Sequence, residues 1–362
     1  MKWYRPLRLL VSLAALLPLA HTPLALAASP TTSPLNLTIS PALVNLVAKP
    51  GQTVTTDLRV KNSGLQTEHL QVNLLKFGAN GDSGQPQLMG RGPADDYFAW
   101  AHFSADHITA EPNVWMTVTM TITVPTKAAG GYYYAAVFSR QNPSTGSKGQ
   151  SALQGGTATL VLLDVEAPSV KHSAQIVSFV ADRKFYEFLP ATFTVKLRNN
   201  GDVHLAPVGS VFIKRGSARV DLLDFNAAHG NILPHSNRVF TVAWQNGFPA
   251  YTPQRRGNEV VTDTHGQPVR KLTWDFNSPL SKLRFGHYTA DLLAVYDNGQ
   301  QDVPLEASVS FWVIPWRLLG VVLVALLFGG AGIWTTSRGL WKKLHRTPQP
   351  QPTPKKDPPS HA

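Results

Sequence analysis

The sequence predicts an all-β protein: two tandem immunoglobulin-like β-sandwich domains followed by one C-terminal transmembrane helix. Three observations predict it. Strand-period alternation recurs between residues 35 and 314. Three landmarks occur twice in the same order. A 17-residue uncharged run stands at 318–334.

The chain opens with MKWYRPLRLLVSLAALLPLAHTPLALAASP. Lys2, Arg5 and Arg8 precede an apolar run, and Ala25-Leu26-Ala27 supplies a small-x-small cleavage site. Residues 1–27 therefore read as a secretory signal peptide. Pro18 and Pro23 interrupt a run already too short to span a bilayer, which argues against an uncleaved anchor.

The first domain is expected over residues 35–167. In TVTTDLRVKNSG, Val54, Thr56, Leu58 and Val60 alternate with Thr55, Asp57, Arg59 and Lys61. Such alternation, closed by Asn-Ser-Gly, reads as a half-buried strand. VWMTVTMTITVP places Val114, Met116, Val118, Met120, Ile122 and Val124 on one face and threonines on the other. FGANGDSGQPQLMGRGPADD reads as a loop and RQNPSTGSKGQSALQGG as a mobile stretch.

The second domain, residues 173–314, replays the first. TTDLRVKNSG is matched by TFTVKLRNNG, ITAEPNVWMTVTMTI by ILPHSNRVFTVAW, and GYYYAAVF by GHYTADLLAVY. A repeat of this length built of short strands is a tandem domain, not a solenoid. Sandwiches are the expected architecture. Setting Gly131 against Gly286 puts Tyr133, Ala135 and Val137 on the core face and Tyr132, Tyr134 and Ala136 on a solvent face. Domain 2 also carries a long insertion before its third landmark, where EVVTDTHGQPVRKLTW reads as a hairpin turning at His265-Gly266-Gln267-Pro268.

A transmembrane helix is expected at 317–336. Trp312, Trp316, Trp334 and Trp341 flank the apolar run as interfacial aromatics, and Arg338, Lys342, Lys343 and Arg346 follow it. The positive-inside rule makes that side cytoplasmic. The basic, proline-rich tail, residues 337–362, reads as disordered toward its end. The product is a single-pass protein of the plasma membrane with its domains extracytoplasmic.

Charge and composition exclude several classes. The net charge is +11, but residues 1–30 hold +3 and residues 317–362 hold +6, so residues 31–316 carry only +2. That distribution serves membrane orientation and gives no nucleic-acid footprint. The chain has no cysteine, which excludes disulfides and thiolate-bound metal. Gly81-Asp82-Ser83-Gly84 matches the nucleophile tetrapeptide of trypsin-like proteases, yet it stands in a turn-rich loop with no protease histidine motif upstream. Histidines are scattered without metal-ligand spacing, and Asp95-Asp96 reads as part of a loop leading into a strand. No Gly-rich phosphate loop leads from a strand into a helix. A non-enzyme without cofactor or metal is expected.

The candidate partner-binding residues are Arg255, Arg256, Arg270, Lys271 and Trp274 in the insertion, with Tyr132 and Tyr134. Basic side chains (also Lys282 and Arg284) interleaved with Tyr251, Trp274 and Phe276 suit an anionic polymer or a protein hot spot.

Domain 1 carries a family resemblance in LTISPALVNLVAKPGQTVTTDLRVKNSG, KFGANGDSG and TVPTKAAGGYYYAAVFS. With the overall layout, it resembles the WxL-interacting proteins of Gram-positive cell surfaces. The resemblance implies a peptidoglycan-binding type of first module and a partner-binding second module. Domain 2 with its insertion departs from the pattern, and no family site maps to a residue. The expected function is a membrane-anchored bacterial surface protein binding cell-wall polymer or another surface protein. The alternative is an extracytoplasmic, chaperone-like assembly factor for exported surface or pilus subunits.

Overall fold

The structure, a computed structural model, describes residues 34–141, 156–264, 266–275 and 282–344. The expected signal peptide, most of the expected mobile stretch, His265, Phe276 and the end of the tail lie outside the described residues. The protein is all-β, with Ig-like sandwiches in tandem and one long C-terminal helix.

Domain 1 contains β1 (Leu37–Ser40), β2 (Leu43–Ala48), β3 (Thr53–Asn62), β4 (Glu68–Ala79), β5 (Pro86–Met89), β6 (Ala101–Phe103), β7 (His107–Ala110), β8 (Trp115–Thr123), β9 (Gly130–Arg140) and β10 (Thr157–Val165). One sheet runs β1-β3-β8-β6 and the other β2-β10-β9-β4-β5, with β7 also paired to β4. The chain crosses between sheets at once: β1 pairs antiparallel with β3, while β2 pairs parallel with β10. The alternating residues of β3 and β8 face inward as their period requires; Leu58, Val60, Val118, Met120 and Ile122 are all fully buried. The loop expected before Asp95 contains β5, and Asp96–Trp100 forms a 3-10 turn leading into β6. Asp95 does not face Asp96 as an acid pair; its Oδ1 accepts from Lys76 Nζ at 2.6 Å.

Domain 2 contains β11 (Ala174–Ala181), β12 (Phe185–Tyr186), β13 (Ala191–Asn199), β14 (Val208–Arg215), β15 (Ala218–Phe225), β16 (Asn237–Trp244), β17 (Ala250–Pro253), β18 (Arg255–Arg256), β19 (Glu259–Val260), β20 (Arg270–Thr273), β21 (Gly286–Asp297) and β22 (Asp302–Val313). Its sheets run β11-β13-β16 and β12-β22-β21-β14-β15. The sheet crossing recurs: β11 pairs with β13 and β12 pairs parallel with β22. The insertion forms two small pairs, β17 with β20 and β18 with β19, and the expected hairpin turn is closed by the Gly266 N–H donating to Asp263 O at 3.1 Å. The helix α1 (Trp316–Leu344) follows β22 almost directly, and Trp316–Trp341 is long and apolar enough to cross a membrane. Those 26 residues would span about 39 Å at the usual helical rise, more than a hydrocarbon core requires.

The repeated asparagine landmark has a physical cause. Asn62 and Asn199 close β3 and β13 and are buried. Asn62 Nδ2 donates to Gln66 O at 2.6 Å and Ala110 O at 3.0 Å, and its Oδ1 accepts the Gly64 N–H at 2.9 Å. Asn199 repeats this with Val203 O at 2.7 Å, Ile232 O at 2.8 Å and the Gly201 N–H at 2.8 Å. A Cβ at Gly201 would strike Lys171 O in the segment that joins the domains.

The third landmark is shifted by one residue from the expected alignment. Gly130 and Gly286 both adopt positive φ, +92° and +116°, and each opens its strand. Ala129 N–H donates to the Tyr132 hydroxyl, and Phe285 N–H donates to the Tyr288 hydroxyl in the same way. Tyr132 therefore matches Tyr288. A one-residue slip exchanges the two faces of a strand. Tyr134, Ala136 and Phe138 lie in the main core of domain 1, while Tyr133, Ala135 and Val137 lie on the opposite face.

Replacing Asn199 with Ala strands three buried backbone groups, each worth about 1 kcal/mol or more. The expected loss is about 3 kcal/mol, read as a lowered denaturant midpoint of the full chain in detergent. Asn199→Asp, which sets a buried carboxylate oxygen against the Val203 and Ile232 carbonyls, should cost at least as much as Ala at neutral pH.

Candidate functional site

The outer face of β10, β9 and β4 is apolar because domain 2 covers part of it. Phe77, Ala135, Val137 and Leu162 form a separate buried cluster with Tyr133, and Leu233 of domain 2 packs on it. Tyr133 meets Phe77 edge-on at 5.8 Å and His204 of domain 2 at 6.0 Å. Its hydroxyl is buried, and desolvation raises its pKa well above the ordinary tyrosine value.

Polar ties surround this seam. His204 Nδ1 and Asp164 Oδ1 stand 2.9 Å apart, close enough for an ion pair but out of line for a hydrogen bond. The Gly131 N–H donates to Asp202 O at 2.9 Å. The protease-like tetrapeptide belongs here too. The Val239 N–H donates to Asp82 O at 2.8 Å, and Lys196 Nζ donates to Asp82 Oδ2 at 2.5 Å. Gly84, at φ +72°, lets the loop pass over the Arg238 guanidinium, which a Cβ would strike. Ser83 Oγ is occupied within its own turn, donating to Asn80 O at 2.8 Å and accepting from the Gln85 N–H at 3.1 Å.

Beside the seam lies an open strand edge. Among the described residues β2 pairs only with β10. The Leu160 N–H donates to Ala42 O and the Glu166 N–H to Ala48 O. In a parallel ladder the backbone groups of every second residue point the same way, so those of Leu43, Asn45 and Val47 point away from β10. Leu43 is 43% exposed and Val47 58%. The edge borders a cavity of about 210 Å³ between the domains, lined by Leu43, Phe77, Leu160, Leu162, Leu233 and Arg238. Arg238 Nε is buried without a hydrogen-bond partner, while its Nη1 donates to Asn231 O at 2.7 Å.

The residues singled out from sequence do not form one site. Arg255, Arg256, Arg270 and Lys271 are exposed on the insertion. Trp274 is 44% exposed and packs edge-on against Phe188 and Phe248. The insertion attaches at the base of domain 2, where Tyr251 and Arg270 share a cavity with Trp316, the first residue of α1. Tyr134 is fully buried, against the expectation of a contact surface, and its hydroxyl donates to Tyr97 O at 3.0 Å. Tyr132 is half-buried against Trp100 and Tyr97. Among the described residues no three His, Asp or Glu side chains gather as a metal site.

Sequence reasoning missed the β2 edge and the seam. Their signal was present: LVNLVA is apolar on both faces but for Asn45, and YYYAAV leaves no charged face for water.

No family model matches the chain, and no curated protein matches it. Among solved structures the chain is similar to the class 5 fimbriae chaperone CfaA, at 13% identity over 77% of this chain and 100% of that one, TM-score 0.34. It is similar to the YadV chaperone at 11% identity over 76% and 100%, TM-score 0.31. It is also similar to the Pseudomonas aeruginosa CupB2 chaperone at 8% identity over 76% and 100%, TM-score 0.30. At these scores the likeness says nothing about function.

The hydrogen bond from Lys196, helped by one from Asn237, holds the Asp82 carboxyl below the usual carboxylate range. A folded value below the unfolded one means that the tie is present above about pH 4 and fades as pH falls through the folded value. Asp82→Asn should therefore speed hydrogen exchange at the Val239 amide at neutral pH. Variant and wild type should converge once the wild-type carboxylate is protonated.

Proposed function

We propose that the chain is a non-enzymatic, membrane-anchored assembly factor that holds an extended segment of an exported protein along β2. The open edge carries this reading. It offers unpaired backbone groups at Leu43, Asn45 and Val47 beside an apolar cavity that could receive alternate side chains. Strand addition uses these two elements: ladder bonds for affinity and pockets for selectivity. Such an edge left bare invites aggregation, so a dedicated occupant accounts for its exposure.

The anchor is α1, with the sandwiches outside and the basic flank inside, which keeps the protein at the membrane that exported chains cross. The layout shared with WxL-interacting proteins supports presentation at a cell surface. The exposed arginines of the insertion support a second reading, adhesion to anionic cell-wall polymer. Sedimentation of the full chain in detergent with purified sacculi, at low and high salt, tests that reading directly.

Val47→Pro removes an outward N–H while sparing the ladder to β10. A photo-crosslinking residue at Leu43 should capture an exported protein on intact cells, and the Val47→Pro background should abolish that capture without changing the amount of chain in the membrane. The same residue at Val177, exposed on β11 of the other domain, should capture nothing. Equal capture at 43 and 177, or capture unaffected by Val47→Pro, would refute edge pairing.

A further inference from the structure

The base of domain 2 holds a cavity of about 440 Å³ beside the start of α1. Its charged lining is Asp182, Arg183, Glu187, Arg270 and Arg317, and Trp316 closes one side. Asp182 is committed to the fold, accepting from the Tyr186 hydroxyl and from the Thr192 N–H. The arginines are held more loosely: Arg183 Nε stands 3.9 Å from Asp182 Oδ2, and the side chains of Arg183 and Arg317 are 74% and 72% exposed.

Glu187 is different. It is only 6% exposed, and its Oε1 is buried with no hydrogen-bond partner among the described residues. Its Oε2 faces Arg317 Nε at 3.6 Å, beyond hydrogen-bond length. A buried carboxylate short of donors is costly unless a donor arrives. A cation with N–H groups would supply it, and the arginines would hold an anion attached to that cation.

The place of the cavity beside the start of α1 points to the source. Trp316 begins the helix that is apolar enough to span a bilayer, and tryptophans settle at the headgroup level. Phe185 and Trp312, 58% and 42% exposed, stand on the neighbouring strand ends as further interfacial aromatics. The occupant that this position offers is a lipid headgroup of the same membrane.

We infer that this cavity binds a phospholipid headgroup bearing both a phosphate and a primary ammonium. The phosphate lies against Arg183, Arg270 and Arg317, and the ammonium donates to Glu187. A quaternary ammonium has no N–H and does not satisfy Glu187; a glycerol headgroup satisfies the arginines but brings no cation. The inference rests on the membrane-anchoring part of the proposed function, not on edge pairing.

The test is native mass spectrometry of the full-length chain released from micelles containing equal amounts of phosphatidylethanolamine, phosphatidylglycerol and phosphatidylcholine. Wild type should retain phosphatidylethanolamine about tenfold over phosphatidylcholine, the ratio expected for one charge-assisted hydrogen bond. Glu187→Gln should erase that preference. Arg183→Ala, at an exposed position, should weaken retention of both phosphatidylethanolamine and phosphatidylglycerol. Soluble glycerophosphoethanolamine should compete with the lipid. Equal retention of the three lipids, or a preference unchanged by both substitutions, would overturn the inference. Carbonate extraction of membranes reads the anchor separately: a chain released by carbonate refutes anchoring itself, whereas a retained chain without lipid preference refutes only the headgroup site.

Discussion

The two buried asparagines organise everything that follows. Each closes the third strand of its domain and ties two backbone groups of its own turn and one of a distant segment to one side chain. A backbone turn alone could not bring Ala110 O to the end of β3, or Ile232 O to the end of β13. Because each amide is buried, all of its partners must be met or the desolvation penalty stands. That requirement fixes where the chain leaves β3 for β4 and β13 for β14.

The seam between the domains follows from the same placement. Gly201 sits in the Asn199 turn and lets the linking segment pass close over it. Residues just beyond, Asp202 and His204, reach back to Gly131 and Asp164. Asp82 and Gly84 close the other side on Lys196, Val239 and Arg238. The apolar outer face of domain 1 is thereby half covered, and its uncovered remainder runs out to the edge at β2. One surface of the molecule thus offers a strand edge beside a largely apolar cavity. Another surface offers arginines, tryptophans and a stranded carboxylate beside α1.

Much of this was legible in the chain. Alternation in β3 and β8 identified the buried faces, since a half-buried strand needs one apolar side. The Asn-x-Gly endings marked the repeat because only that geometry meets the buried amide and the close approach at glycine. The helix was legible from its uncharged length and flanking aromatics. The face of GYYYAAV was misassigned because both of its faces are apolar, so periodicity could not choose between them. The choice lies in which glycine takes positive φ, and Gly130 and Gly131 are alike in sequence.

The sequence by itself determined the strand-rich tandem architecture, the apolar helix and the concentration of charge at the two ends, because each depends on local pattern and composition. Only the tertiary structure decided that Asp82 and Gly84 belong to a domain seam, that Tyr134 is core, that β2 keeps an open edge, and that Glu187 meets Arg317 at the foot of the helix. Those are contacts between residues up to 157 positions apart (Asp82 and Val239). Such contacts arise from how sheets cross and stack, which no window of alternating residues encodes.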